Sequence, residues 1–190
     1  MKTLATLVLL IALAAPAGAA VVHDEAVNGD LSSLAASPTA LVFLPGGNTV
    51  IGTVRYSNNV AGDRDFITFT IAPGNVLIAL NLLAYAPSFT SFAAFNAGAT
   101  SYVPGIATDP NFLAGIHITG GLVGSNLMPE FDTNAVTSNS LAAPQLDPGT
   151  YSFVIQQTGT ALQSYSLEFV VDGPVPSQSP SWGAIKSLYR

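Results

Sequence analysis

The chain has 190 residues with 5 basic and 11 acidic side chains, a net charge of −6, and only 8% charged residues. An acidic surface gives no electrostatic footprint for nucleic acid or for an anionic membrane. The absence of cysteine excludes disulfides, thiolate zinc sites and cysteine nucleophiles.

The first twenty residues, MKTLATLVLLIALAAPAGAA, read as a secretory signal peptide. Lys2 precedes an apolar run from Leu4 to Ala15, and Pro16 then breaks it before a stretch of small residues. The run is shorter than the ~20 residues of a spanning helix, so the mature chain is expected to carry no transmembrane helix. Cleavage after Ala19 or after Ala20 satisfies the small-residue rule equally well. What remains is one domain's worth of chain, expected to be exported: secreted, periplasmic or on the cell surface. With no disulfide to stabilise it outside the cell, it suits a bacterial envelope or secreted protein better than a eukaryotic extracellular domain.

Residues 21–172 read as a β-sandwich. An apolar run, Leu41 to Leu44, precedes a turn at Pro45-Gly46-Gly47-Asn48 and the β-branched segment Thr49 to Tyr56. After the polar loop Ser57 to Arg64, strict alternation puts Ile67, Phe69 and Ile71 on a buried face, with Phe66, Thr68 and Thr70 opposite. Pro73-Gly74-Asn75 turns the chain into Val76 to Tyr85, apolar enough for a fully buried strand. Ser91 to Ala97 and Ala114 to Thr119 are short strand candidates; Gly120 to Pro148 is irregular; Thr150 to Gln157 and Tyr165 to Val171 close the domain. About eight strand-like runs separated by turns predict an all-β, antiparallel sandwich resembling a jelly roll.

Residues 173–181 form a Pro/Ser linker, expected to be extended. In the tail, 182–190, Trp182, Ile185 and Tyr189 share one side of any helix. Nine residues are too few to hold a helix alone, so the tail is expected either to dock, on a partner or back on its own domain, or to be disordered.

The run TVIGTVRYSNNVAGDRDFITFTIAPGNVL resembles the bacterial pre-peptidase C-terminal (PPC) domain, through Val50, Gly52, Asp65, Phe66, Phe69, Gly74 and Leu77. LDPGTYSFVIQQTGTALQSYSLEFVV is similar to that domain's closing hairpin, through Leu146, Gly149, Tyr151, Tyr165 and Leu167. The opening DEAVNGDLSS resembles exported proteins that join such a domain to a C-terminal sorting tail. The resemblance implies a non-catalytic β-sandwich of secreted proteins, some of whose relatives bind calcium or extracellular polymers. The chain departs from the pattern at its end, which lacks the apolar helix and arginine cluster of PEP-CTERM sorting tails.

Little in the chain suits catalysis. There is no G-x-S-x-G nucleophile turn, and His117, flanked by Ile116 and Ile118, reads as a solvated or hydrogen-bonded strand histidine. Carboxylates at Asp63/Asp65 and Glu130/Asp132 are too close in sequence for a glycosidase pair but offer oxygens to a hard cation. Asn58, Asn59, Asp63 and Asp65 are the calcium candidates, with Glu130, Asp132 and Asn134 as a second set; the alternative for both is turn-forming and solvating residues. Tyr85, Phe89, Phe92, Phe95, Tyr102 and Phe112 form either a sugar-stacking face or core. A chain beginning Val21-Val22-His23 would also present a square-planar nitrogen set for Cu²⁺ or Ni²⁺. The expected function is adhesion or interaction with an unknown extracellular or cell-surface partner, without catalysis or an obligatory cofactor. A carbohydrate- or calcium-binding accessory module is the alternative, and a hydrolase comes third.

Overall fold

The β-branched and alternating runs form strands that pair into two facing sheets. A computed structural model describes residues 19–55, 62–101, 110–157 and 159–173. Its strands are β1 (Ala20–Asp24), β2 (Thr39–Ala40), β3 (Gly46–Val54), β4 (Arg64–Ile71), β5 (Val76–Ala86), β6 (Ser91–Ala97), β7 (Phe112–Ile118), β8 (Gly149–Gln157) and β9 (Gln163–Asp172). Two short helices, α1 (Glu25–Asn28) and α2 (Met128–Thr133), interrupt them. One sheet has the order β1-β3-β9-β5 and the other β2-β4-β8-β6-β7. None of the described helices is long and apolar enough to cross a membrane. Residues 1–18 of the leader, Asn58, Asn59, Tyr102 and the tail with Trp182, Ile185 and Tyr189 lie outside the described residues.

The central pairs are antiparallel as expected, but the sheets are mixed. Strand β1 runs parallel to β3, and β2 parallel to β4. The reason is connectivity: residues 20–40 pass from the edge of one sheet to the edge of the other. Both edge pairs are short and carry little alternation, so no period in the sequence announces them. The apolar run Leu41 to Leu44 is irregular chain after β2. It delivers Phe43 to the core, where its ring stacks on Phe69 at 4.6 Å.

Ile67, Phe69 and Ile71 are buried between the sheets, as the alternation requires. Facing them from the other sheet are Leu167, Phe169 and Val171 of β9, while Phe153 and Ile155 of the neighbouring strand β8 extend the same inner face. Phe153 meets Phe169 edge-on at 5.4 Å, joining the two inner faces. Each fully buried aromatic or aliphatic side chain of this set contributes roughly 1.5–3 kcal/mol. Phe66 is also buried, on the outer side of its sheet, against Ala94 and Val154 with Ala35 over them.

Strand β5 corrects the expectation of a fully buried run. Ile78 and Leu83 are exposed, while Leu77, Leu80, Leu82 and Tyr85 are buried. Register shifts fall between Leu77 and Ala79 and between Leu82 and Ala84. Each bulge inserts one residue and resets the inward phase, so a continuous apolar run serves one face. The turn before it has Pro73 followed by Gly74 at φ 86°, with Asn75 N–H donating to Ala72 O at 3.1 Å. That is a type II arrangement, in which glycine supplies the positive φ.

The irregular stretch 120–148 protects sheet edges. Leu127 N–H donates to Leu80 O, and Leu82 N–H donates to Ser125 O, along the free side of β5. Val136 N–H donates to Gly115 O along the free side of β7. Helix α2 lies between these covers and inserts Met128 and Phe131 into the core. Uncovered edges invite pairing with other chains, so this segment solves a problem that the strands alone would leave.

Candidate cation site

Strand β3 carries Gly52 where a side chain has no room. A Cβ there would lie 2.6 Å from Tyr165 Oη and 3.0 Å from Asp65 Oδ2. The bare backbone lets the Tyr165 ring, on β9, cross toward the opposite sheet, where its hydroxyl donates to Asp65 Oδ2 at 2.6 Å. Asp65 is 1% exposed, and its other oxygen, Oδ1, is buried with no hydrogen-bond partner among the described residues. A buried, half-satisfied carboxylate is costly.

The segment from β1 brings two more acids to this point. Asp24 caps α1 by accepting from Ala26 N–H at 3.0 Å. The buried ring of His23 makes a 3.0 Å hydrogen bond to Gly29 O, fixing the turn that follows. Between these anchors, Glu25 Oε2 accepts from Thr53 N–H at 2.8 Å, and Oε1 accepts from Leu31 N–H at 3.2 Å. Carboxylate oxygens of Glu25, Asp30 and Asp65 lie within 4.8 Å of one another. Asp63, just before β4, lies outside this group of three but near enough to be repelled by Asp30 and Glu25, and Arg55 N–H donates to its backbone carbonyl at 3.0 Å. Its carboxylate Oδ1 is likewise buried without a partner among the described residues.

These groups raise one another. Burial, then repulsion from Asp30 and Glu25, pushes Asp63 up to about 6, with Arg55 pulling the other way. Burial, reinforced by Glu25, holds Asp65 well above the ordinary carboxylate range despite the Tyr165 hydrogen bond. Glu25 is also raised, mainly by burial. Clustered carboxylates that resist ionising together either hold protons or hold a cation. The donors are all hard oxygens from separate stretches of chain, at irregular depth. That set suits Ca²⁺, which takes 6–8 oxygens in flexible geometry, better than Mg²⁺, which demands a regular octahedron.

The expected calcium residues are thus only partly brought together. Asp65 belongs to the cluster and Asp63 lies beside it, whereas Glu25 and Asp30 were not anticipated. The acid-rich opening DEAVNGDLSS was the available signal; the parallel pairing that folds it onto β3 was not. The second set does not converge. Glu130 and Asp132 sit two apart on α2 and project to opposite sides, and Glu130 Oε2 accepts from Asn134 Nδ2 at 2.7 Å.

The remaining candidates disperse. His117 is exposed on β7, opposite the buried Ile116 and Ile118, and its ring meets Phe92 edge-on at 6.2 Å. Tyr85 and Phe95 are buried, Phe92 and Phe112 are half-buried on an outer face, and Phe89 is exposed. They do not share one stacking surface. The copper or nickel motif is not formed either, because residues 20–24 are paired with β3 and the His23 ring is buried. No protein-family model matches the chain, and no curated protein is significantly similar to it.

Proposed function

We propose that the chain is an exported, non-catalytic β-sandwich interaction module that binds calcium through Glu25, Asp30, Asp63 and Asp65. The observation that carries the calcium reading is the buried Asp65 carboxylate, one oxygen tied to Tyr165 and the other unpartnered, beside the acids of the N-terminal segment. Export rests on the Lys2-to-Ala20 leader pattern. An adhesive or accessory role outside the cell rests on the resemblance to PPC domains. Gly52, Asp65 and Tyr165, which carry part of that resemblance, meet in one contact. The partner is an extracellular or cell-surface molecule.

Calorimetric titration of the purified protein with calcium tests the site. Saturable binding is expected, with a rise in melting temperature in millimolar calcium, because a ligand selective for the folded state stabilises it by mass action. Asp65→Asn and Asp63→Ala should each weaken it. A melting curve indifferent to calcium in wild type and in Asp63→Ala would remove the calcium reading. Turnover of ester, peptide or glycoside substrates that disappears in His117→Ala would overturn the non-catalytic one.

A further inference from the structure

Glu25 and Asp30 belong to the segment that crosses between the sheets, and Asp63 and Asp65 belong to the body of the sandwich. The cluster therefore lies on the seam between them. Building on the calcium site, we propose that the bound cation is the clasp that docks residues 20–40 across the sandwich, and that its removal releases this segment locally while the central sheets stay folded.

The segment has few other holds. Its pairing with β3 spans five residues with an irregularity between Val21 and His23. Strand β2 contributes two residues on β4, and α1 buries none of its side chains. Val21, Val27 and Leu34 are exposed at 60%, 78% and 64%, so much of the segment's apolar surface remains in solvent. Leu31 and the His23 ring are the large side chains it buries within this range, Glu25 accepts from Thr53 N–H of β3 at 2.8 Å, and Phe66 N–H donates to Ser32 O at 2.9 Å. Local opening is favoured where apolar anchoring is sparse and backbone bonds lie near solvent.

Electrostatics decides the sign of the seam. Without a cation, Glu25 and Asp30 of the segment stand against Asp65 of the body and also repel the nearby Asp63, where the Arg55 charge offsets only part of the repulsion. A divalent ion shared between the two sides turns the repulsion into attraction, because each side supplies ligands that the other lacks. Opening would bare the β3 edge now covered by β1 and the Phe66–Thr68 stretch of β4 now covered by Ser32 and β2.

Hydrogen exchange read by mass spectrometry, on the full chain in millimolar calcium and in chelator, tests this. Residues 20–40 and their partners in β3 and β4 should exchange roughly tenfold or more faster in chelator, while β8 and β9 pairing partners away from the seam hold their protection. Asp30→Asn, an exposed position that leaves the fold intact, should weaken calcium binding and shrink this difference. Calcium binding by calorimetry with unchanged exchange in 20–40 would overturn the clasp and leave the binding site standing. So would an equal acceleration throughout the domain, which would make the ion a global stabiliser. Absence of calorimetric binding would overturn both.

Discussion

Tyr165, on one sheet, donates a 2.6 Å hydrogen bond to Asp65 on the other, across a gap kept open by Gly52. This is a buried polar tie between the two layers, as is the 2.6 Å bond from Tyr85 Oη on β5 to Ser91 Oγ on β6, and its two halves depend on each other. Tyr165→Phe should cost about 1–3 kcal/mol, because it leaves both oxygens of a buried carboxyl without their protein donor. Asp65→Leu in the same background should cost less than the sum of the single changes, since removing both partners abolishes the unsatisfied group. Urea denaturation of the four proteins of this cycle measures the coupling. Additive effects would show that the two groups act independently.

Gly52→Ala probes the same contact sterically. The added methyl would lie 2.6 Å from the Tyr165 hydroxyl, closer than real atoms come. Overpacking of that degree costs about 1–3 kcal/mol. The expected result is a lower melting temperature together with weakened calcium affinity, because Asp65 loses its positioning donor. A melting temperature equal to wild type would mean that the ring has free space to move.

The pH dependence follows from the raised carboxyls. In chelator, Asp63 is raised to about 6 from an ordinary 3.8, with Asp65 and Glu25 shifted in the same direction. The folded state therefore binds protons more tightly than the unfolded chain. Its stabilisation is complete below the unfolded value and is lost as pH rises through about 6. The calcium-free protein should melt at a higher temperature at pH 5 than at pH 7.5. Saturating calcium should flatten or reverse that trend, because protons then compete with the ion. A calcium-free melting temperature that climbs from pH 5 to 7.5 would contradict the electrostatic picture.

The irregular stretch 120–148 is part of the fold, and Phe131 tests it. This residue is fully buried and lies 4.9 Å from the Phe95 ring. Phe131→Ala should destabilise the domain by about 3–5 kcal/mol in chemical denaturation. A cost below about 1 kcal/mol would mean that the segment only lies over the sandwich.

Residues with local signals were legible in the sequence, and residues placed by distant pairing were not. Ile67, Phe69 and Ile71 declared their face by alternation, and the Pro73-Gly74 turn declared itself by composition. The bulges in β5 were hidden because Val76 to Tyr85 is apolar at nearly every position, so no break in period marks the reset. Asp63 and Asp65 stood out as loop carboxylates beside a strand. Glu25 and Asp30 reach them only because β1 folds parallel along β3, a pairing that leaves no mark on the five residues of Ala20–Asp24. Helix α2 was hidden too, since its six residues bury only Met128 and Phe131, too short a pattern to show a helical period.

The tail, Trp182 to Arg190, gives the last prediction. Its apolar residues share one side of any helix, and the linker from Pro174 to Pro180 separates it from β9 in sequence. Two destinations compete. One is a partner that reads the tail as a docking or sorting signal. The other is this domain's own groove of about 340 Å³, lined by Leu41, Val42, Phe43 and Thr70, near the end of the sandwich where β9 finishes. Deleting residues 174–190 should leave the melting temperature within about 1 °C of wild type and change where the protein accumulates in its host, because the paired strands are complete at Asp172. Loss of more than about 1 kcal/mol on deletion would assign the tail to the groove. In that case Val42→Asp, at a position 76% exposed among the described residues, should reproduce the loss in the full chain and do nothing in the truncated one. Unchanged stability with unchanged localisation would leave neither destination standing.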